Sequence, residues 1–133
     1  MMAALILVFS LATLGMFFVS YCRSLVAACS QYSLSAEVRD VTGIRTAAEA
    51  EDFTRVVQVL QLCPDRAEDR TSLQAVGLYH SLLTLVQNTA AKLAPSLRTW
   101  AEQERAHCAQ FAAVTLDRRI AFSREMLARQ AEL

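Results

Sequence analysis

Glycine and proline are scarce, three and two residues in a chain of 133. That leaves few turn residues for a sheet protein and suits long helices instead. Lysine is rarer still: every basic residue except Lys92 is an arginine, which we read as codon bias before recognition chemistry. Thirteen basic and thirteen acidic residues cancel. No arm or stripe of one sign stands out, which argues against nucleic acid as a partner. The most informative absence is local. Residues 2–22, MAALILVFSLATLGMFFVSYC, carry no charged side chain, and Arg23 ends the run.

As a helix that run measures roughly 31 Å, about the thickness of a bilayer's hydrocarbon core. It is expected to span a membrane, with Met2, Leu5, Phe9, Leu14, Phe17, Phe18 and Tyr21 facing lipid. A secretory signal would have a basic stretch before a shorter apolar run and a small-x-small cleavage site after it. No Lys or Arg precedes this run, so an uncleaved anchor is the expectation. The alternative is an exported protein. Val26-Ala27-Ala28-Cys29 resembles a bacterial lipobox, in which Cys29 would be acylated, although Arg23 interrupts the apolar stretch such a signal needs. Arg23, Arg39 and Arg45 all follow the span, partly offset by Glu37 and Asp40. The positive-inside rule then puts the N-terminus outside and the remainder in the cytoplasm.

With the anchor set aside, about 90–100 residues remain, enough for one helical domain with a modest core. The expected architecture is all-α: an N-terminal transmembrane helix with a juxtamembrane extension over 1–36, then a three-helix antiparallel bundle over 46–133. Leu25, Ala28, Cys29, Tyr32 and Ala36 continue the first helix's stripe. Ser20, Ser24 and Ala28 form a small-residue ridge, read most simply as an accident of Ala/Ser-rich sequence. Asp40 to Arg45 is expected as a loop broken by Gly43.

The second helix opens on Thr46-Ala47-Ala48-Glu49, a capping-box pattern. It continues with Ala50, Phe53, Val56, Val57, Leu60 and Cys63 on one stripe until Pro64. Asp65 to Arg70 reads as a charged connector. The third helix runs from about Thr71 to Leu93, with Val76, Tyr79, Leu82, Leu83, Val86, Ala90 and Leu93 on its apolar face. Pro95 either opens a fourth helix or kinks one long one. The fourth helix carries two apolar stripes. One is Leu97, Ala101, Cys108, Phe111, Thr115, Phe122 and Met126; the other is Ala109, Ala113, Leu116, Ile120 and Leu127. The core is expected at Phe53, Leu60, Leu82, Val86, Phe111 and Phe122. The second stripe, Ala113, Leu116, Ile120 and Leu127, is expected to bind an integral membrane complex or a second copy.

Catalytic signatures are missing. There is no Gly-x-Ser-x-Gly elbow, no Gly-rich phosphate loop and no His-Glu-x-x-His. Cys22, Cys29, Cys63 and Cys108 lack metal-ligand spacing. Glu104-Arg105-Ala106-His107 matches one Glu-x-x-His unit of a di-iron bundle, but His80 has Gly77 at the position where a second unit needs Glu. The solvated-face reading of Glu104 and His107 is therefore preferred. Trp100 is a candidate interface anchor if its end of the helix meets the bilayer, and more simply a partly buried aromatic. The basic character of the last helix, from Arg118, Arg119, Arg124 and Arg129, has the same two readings, weak attraction to anionic headgroups or a solvated face. The expected function is a non-enzymatic accessory, scaffolding or assembly subunit, with membrane lipid among its partners and no cofactor or metal.

Overall fold

Five α-helices make up the computed structural model, which describes residues 1–29, 34–42, 52–64, 66–90 and 92–133. They are α1 (Met2–Cys29), α2 (Ala36–Thr42), α3 (Asp52–Leu62), α4 (Ala67–Ala90) and α5 (Pro95–Glu132). The chain is all-helical over the described residues, and α1 is long and apolar enough to cross a membrane.

α1 changes role along its length. From Met2 to Phe17 every side chain is exposed, and the stretch most suited to a membrane has no buried residue. Phe18 and Val19 begin to pack on the core, and Cys22, Val26 and Cys29, at i, i+4 and i+7, are buried in it. The core therefore draws on the segment assigned to the anchor. Ser20, Ser24 and Ala28 are exposed, so the small-residue ridge lies outside the core among the described residues.

The expected helical continuation to Ala36 is not what forms. Leu34 and Ser35 are non-helical and α2 starts afresh at Ala36. Ser35 supplies the reason, because its hydroxyl accepts the Val38 N–H at 3.5 Å and caps the new helix. Leu34 and Val38 are buried on either side of that cap. Asp40 to Thr42, expected to be loop, complete α2, while Gly43 and the Thr46 capping box lie outside the described residues.

α3 buries Phe53, Val56 and Leu60 as its stripe requires, and ends before Pro64. α4 begins at Ala67, earlier than expected. Glu68 and Asp69 fall in its first turn, where carboxylates favour the helix dipole, so most of the supposed connector is helix. Pro95 opens α5 at its first turn rather than kinking it, following an extended Ala94.

α5 is the central element, with α1, α2, α3 and α4 all packed on it. From Cys108 to Asp117 nearly every side chain is buried, whichever way it points. Ala109, Ala112 and Ala113 make this possible, because small side chains let neighbouring helices approach closely. This corrects the partner-face assignment. Ala113 and Leu116 are fully buried within the chain and Ile120 partly so, leaving Leu127 exposed. The expectation treated this stripe as an outer face, whereas the helices packed around α5 bury its middle within the chain. Leu82 and Phe122 are likewise exposed rather than core, and Val86 is half-buried.

Helix directions follow from named pairs. Asp69 meets Arg119 at one end of the α4–α5 hairpin, and Gln87 meets Glu102 toward the other, so the two helices run antiparallel. Arg23 meets Glu104, while Cys29 lies within electrostatic reach of Arg118, so α1 and α5 run in the same direction.

Candidate functional site

Buried polar groups are the natural candidates, because each must be offset by a partner. The most concentrated group surrounds Glu104, where α1 joins α4 and α5. Tyr79 of α4 donates its phenol hydrogen to Glu104 Oε2 at 2.7 Å. Arg23 Nε of α1 lies 3.7 Å from Glu104 Oε1, and His107 Nδ1 lies 3.9 Å from the same oxygen. Tyr79 and Glu104 are buried, whereas Arg23 and His107 are largely exposed. The thiol of Cys22 contacts the Ala75 carbonyl at 3.7 Å beneath them. One carboxylate thus ties three helices together at the place where the apolar run of α1 ends.

This corrects the solvated-face reading for Glu104, though not for His107. The spacing carried a signal: Ala101, Glu104, Cys108 and Phe111 fall at intervals of three and four, which places the carboxylate inside the core stripe. Its partners, Tyr79 and Arg23, are distant in sequence and had no such signal.

Beside it, a polar chain runs along the α4–α5 seam. Arg105 donates to Gln87 and to His80 Nε2, the latter at 3.5 Å, and Gln87 donates to Glu102 at 3.1 Å. The His80 ring stacks on Phe53 with centroids 4.1 Å apart. At the other end of the bundle, buried Arg119 lies 3.7 Å from Asp69 and donates to the Leu60 carbonyl at 3.4 Å. Buried Asp117 accepts the Ser35 backbone N–H at 3.3 Å, tying the start of α2 to α5. An open cavity of about 490 Å³ lies between α3, α4 and α5, walled by Phe53, Val57, Leu60 and Leu73 with Arg70 and Arg119 at its polar edge.

The chemistry available around Glu104 is restrained. Burial, reinforced by the charge of Glu104, pushes the Cys108 thiol up to about 12. It also raises the Tyr79 phenol well above its ordinary value, with the Glu104 hydrogen bond second. Both groups hold their protons, so neither is an activated nucleophile. His107 and Cys108 are neighbours on one helix and point about 100° apart. No group of three or more His, Cys, Asp or Glu side chains among the described residues could hold a metal ion. The Glu104 cluster fits a clamp better than a reaction centre.

The Cys108 shift has a measurable consequence. Its folded value lies above the ordinary 9.0, so the folded state holds this proton more tightly than the unfolded chain does. That contribution is complete below pH 9 and is lost as pH climbs toward about 12. Denaturant stability should therefore fall between about pH 9 and pH 11, by on the order of a few kcal/mol. Cys108→Ala should flatten that decline, with a residual slope from Tyr79. An unchanged slope in the variant would remove Cys108 as a cause.

No family model matches the chain, and neither a curated protein nor a solved structure shows a significant likeness to it.

Proposed function

We propose that this protein is a single-pass membrane protein whose helical domain serves as a non-catalytic accessory, scaffolding or assembly subunit of a larger membrane complex. The observation that carries the reading is the double role of α1. One helix is bare and uncharged over Met2–Phe17 and is core over Cys22, Val26 and Cys29. A domain grown directly onto its anchor, without a linker, has its pose relative to the bilayer fixed by that helix. Positioning a partner needs such a fixed pose; a tethered soluble enzyme does not.

The same core argues for retention of the segment. Cleavage before Cys29, as lipoprotein processing requires, would remove Cys22 and Val26 from the core and Arg23 from Glu104. In this reading α3, α4 and α5 form a three-helix antiparallel kernel, and α1 and α2 cover the remaining face of α5. Arg23 and Arg39 follow the span, which favours an N-terminus outside and a cytoplasmic domain. Partner contact, with a membrane complex or a second copy, is assigned to the exposed end of α5, around Met126 and Leu127.

Alkaline carbonate extraction tests the anchor. The full chain is expected to stay in the membrane pellet with residues 2–22 attached. Release into the supernatant would rule out a spanning helix.

A further inference from the structure

α4 has an apolar face that the bundle does not use. Val76, Tyr79 and Leu83 are buried, whereas Leu78, Leu82 and Leu85, at i, i+4 and i+7, stand exposed on another side. Exposed leucines continue through the turn that follows, at Leu93 and Leu97. Soluble proteins keep such groups small.

The helix directions place this surface. α1 and α5 run the same way and α4 opposes them, so the turn between α4 and α5 points back toward the N-terminal side of α1. Glu104 is level with Arg23, the first charge after the apolar run. From Glu104 back to Pro95, α5 extends ~13 Å, or ~9 Å along α1 if the two cross at a common angle of about 50°. The interfacial zone on one side of a bilayer is roughly 5–7 Å deep. The turn therefore reaches past the headgroups, level with about Phe17, beyond which α1 is exposed.

Charge agrees with that placement. From Arg70 to Ala101 the sequence has no Asp or Glu, and Lys92 and Arg98 flank the turn leucines. Arg98 also lies 3.6 Å from Glu102, higher on α5. Long cationic side chains can lay their stems on apolar surface and keep their heads at phosphate level. Trp100, half-buried against the core, sits between the turn and Glu104, at the depth where indoles favour the interface.

We propose that the turn end of the α4–α5 hairpin seats in the bilayer surface beside α1, with Leu93 and Leu97 in the acyl region, Leu85 at the headgroup level and Lys92 and Arg98 at the phosphates. This rests on α1 spanning the same membrane. The second attachment braces the pose that α1 sets, by holding the domain against tilting away from the bilayer.

The test uses the full chain in phosphatidylcholine vesicles whose acyl chains carry bromine, a short-range quencher of indole. Trp100 is the only tryptophan, so Trp100→Phe gives a dark background for one new reporter at a time. Phe9→Trp reports the anchor, Leu93→Trp the turn and Leu127→Trp the far end of α5. Expected is strong loss of emission for the first two and none for the third. Quenching of Phe9→Trp with a bright Leu93→Trp would overturn the hairpin contact and leave the anchor standing. A bright Phe9→Trp would overturn the anchor and this proposal with it, and a quenched Leu127→Trp would overturn the upright orientation. A bright Leu93→Trp with a doubled sedimentation mass would assign the leucine face to a second copy instead. Should Trp100→Phe lose helical circular dichroism, native Trp100 reports the hairpin end directly: quenching supports the contact and unquenched emission overturns it.

Discussion

Leu116→Glu should abolish cooperative unfolding of the helical domain. Leu116 is 0% exposed at the middle of α5, where Ala112, Ala113, Val114 and Thr115 are buried around the same axis. The change removes a buried aliphatic group, costing about 2–5 kcal/mol. It also asks an unpaired carboxylate to sit in the core, which adds several kcal/mol more whether the group ionises or binds a proton. Typical domains hold about 5–15 kcal/mol in total. The expected result in a mild-detergent denaturant titration is no resolvable transition and reduced helical circular dichroism, with the chain still membrane-bound through α1. Ile120→Glu, at a half-buried site, should be milder. A Leu116→Glu protein that unfolds at the wild-type midpoint would restore the partner-face assignment that burial removes.

Leu116 also shows where sequence reasoning stopped. Periodicity along α5 revealed two apolar stripes, and α5 does bury both in its middle. What covers the second stripe depends on how the other helices pack around α5, and no local pattern records that. The length and absence of charge that point to an anchor over residues 2–22 hide the fact that Cys22, at the end of that run, belongs to the core. The core residues of α1 straddle Arg23, so the end of the uncharged run does not mark where packing begins. Ser35 is a comparable case at smaller scale: one hydroxyl capping Val38 converts an expected continuation into a new helix.

The polar core divides along the same line. Glu104 could be placed in the core stripe from its spacing, yet Tyr79, Arg23 and their convergence on one carboxylate are tertiary facts. Polar residues among apolar ones on a single helix are local information. Their partners are not. The exposed leucines of α4 illustrate the reverse error, since the apolar face expected over Val76, Tyr79, Leu82 and Leu83 was drawn too broadly. Leu82 belongs with Leu78 and Leu85 on a side left exposed among the described residues.

Two phenylalanines on α5 separate core from periphery. Phe111 is 7% exposed and sits in the fully packed stretch, and Phe122, one of the residues expected in the core, is 40% exposed. Beyond Ile120 the side chains of α5 are mostly exposed among the described residues, so the periodicity that places Phe122 on the Phe111 stripe no longer carries it into the core. The remaining contact is cationic: the Arg66 guanidinium carbon lies 4.9 Å from the Phe122 ring centroid. Such a contact at an exposed site contributes about 0.5–1 kcal/mol. Phe111→Ala should accordingly cost about 3–5 kcal/mol, because the cavity it leaves is walled by side chains that cannot all close in. Phe122→Ala should cost no more than about 1 kcal/mol. Denaturant midpoints of the two variants, at unchanged slope, give both values in one experiment. Equal losses would mean that the core continues along α5 past Ile120, and a loss below about 1 kcal/mol for Phe111→Ala would place that ring outside it.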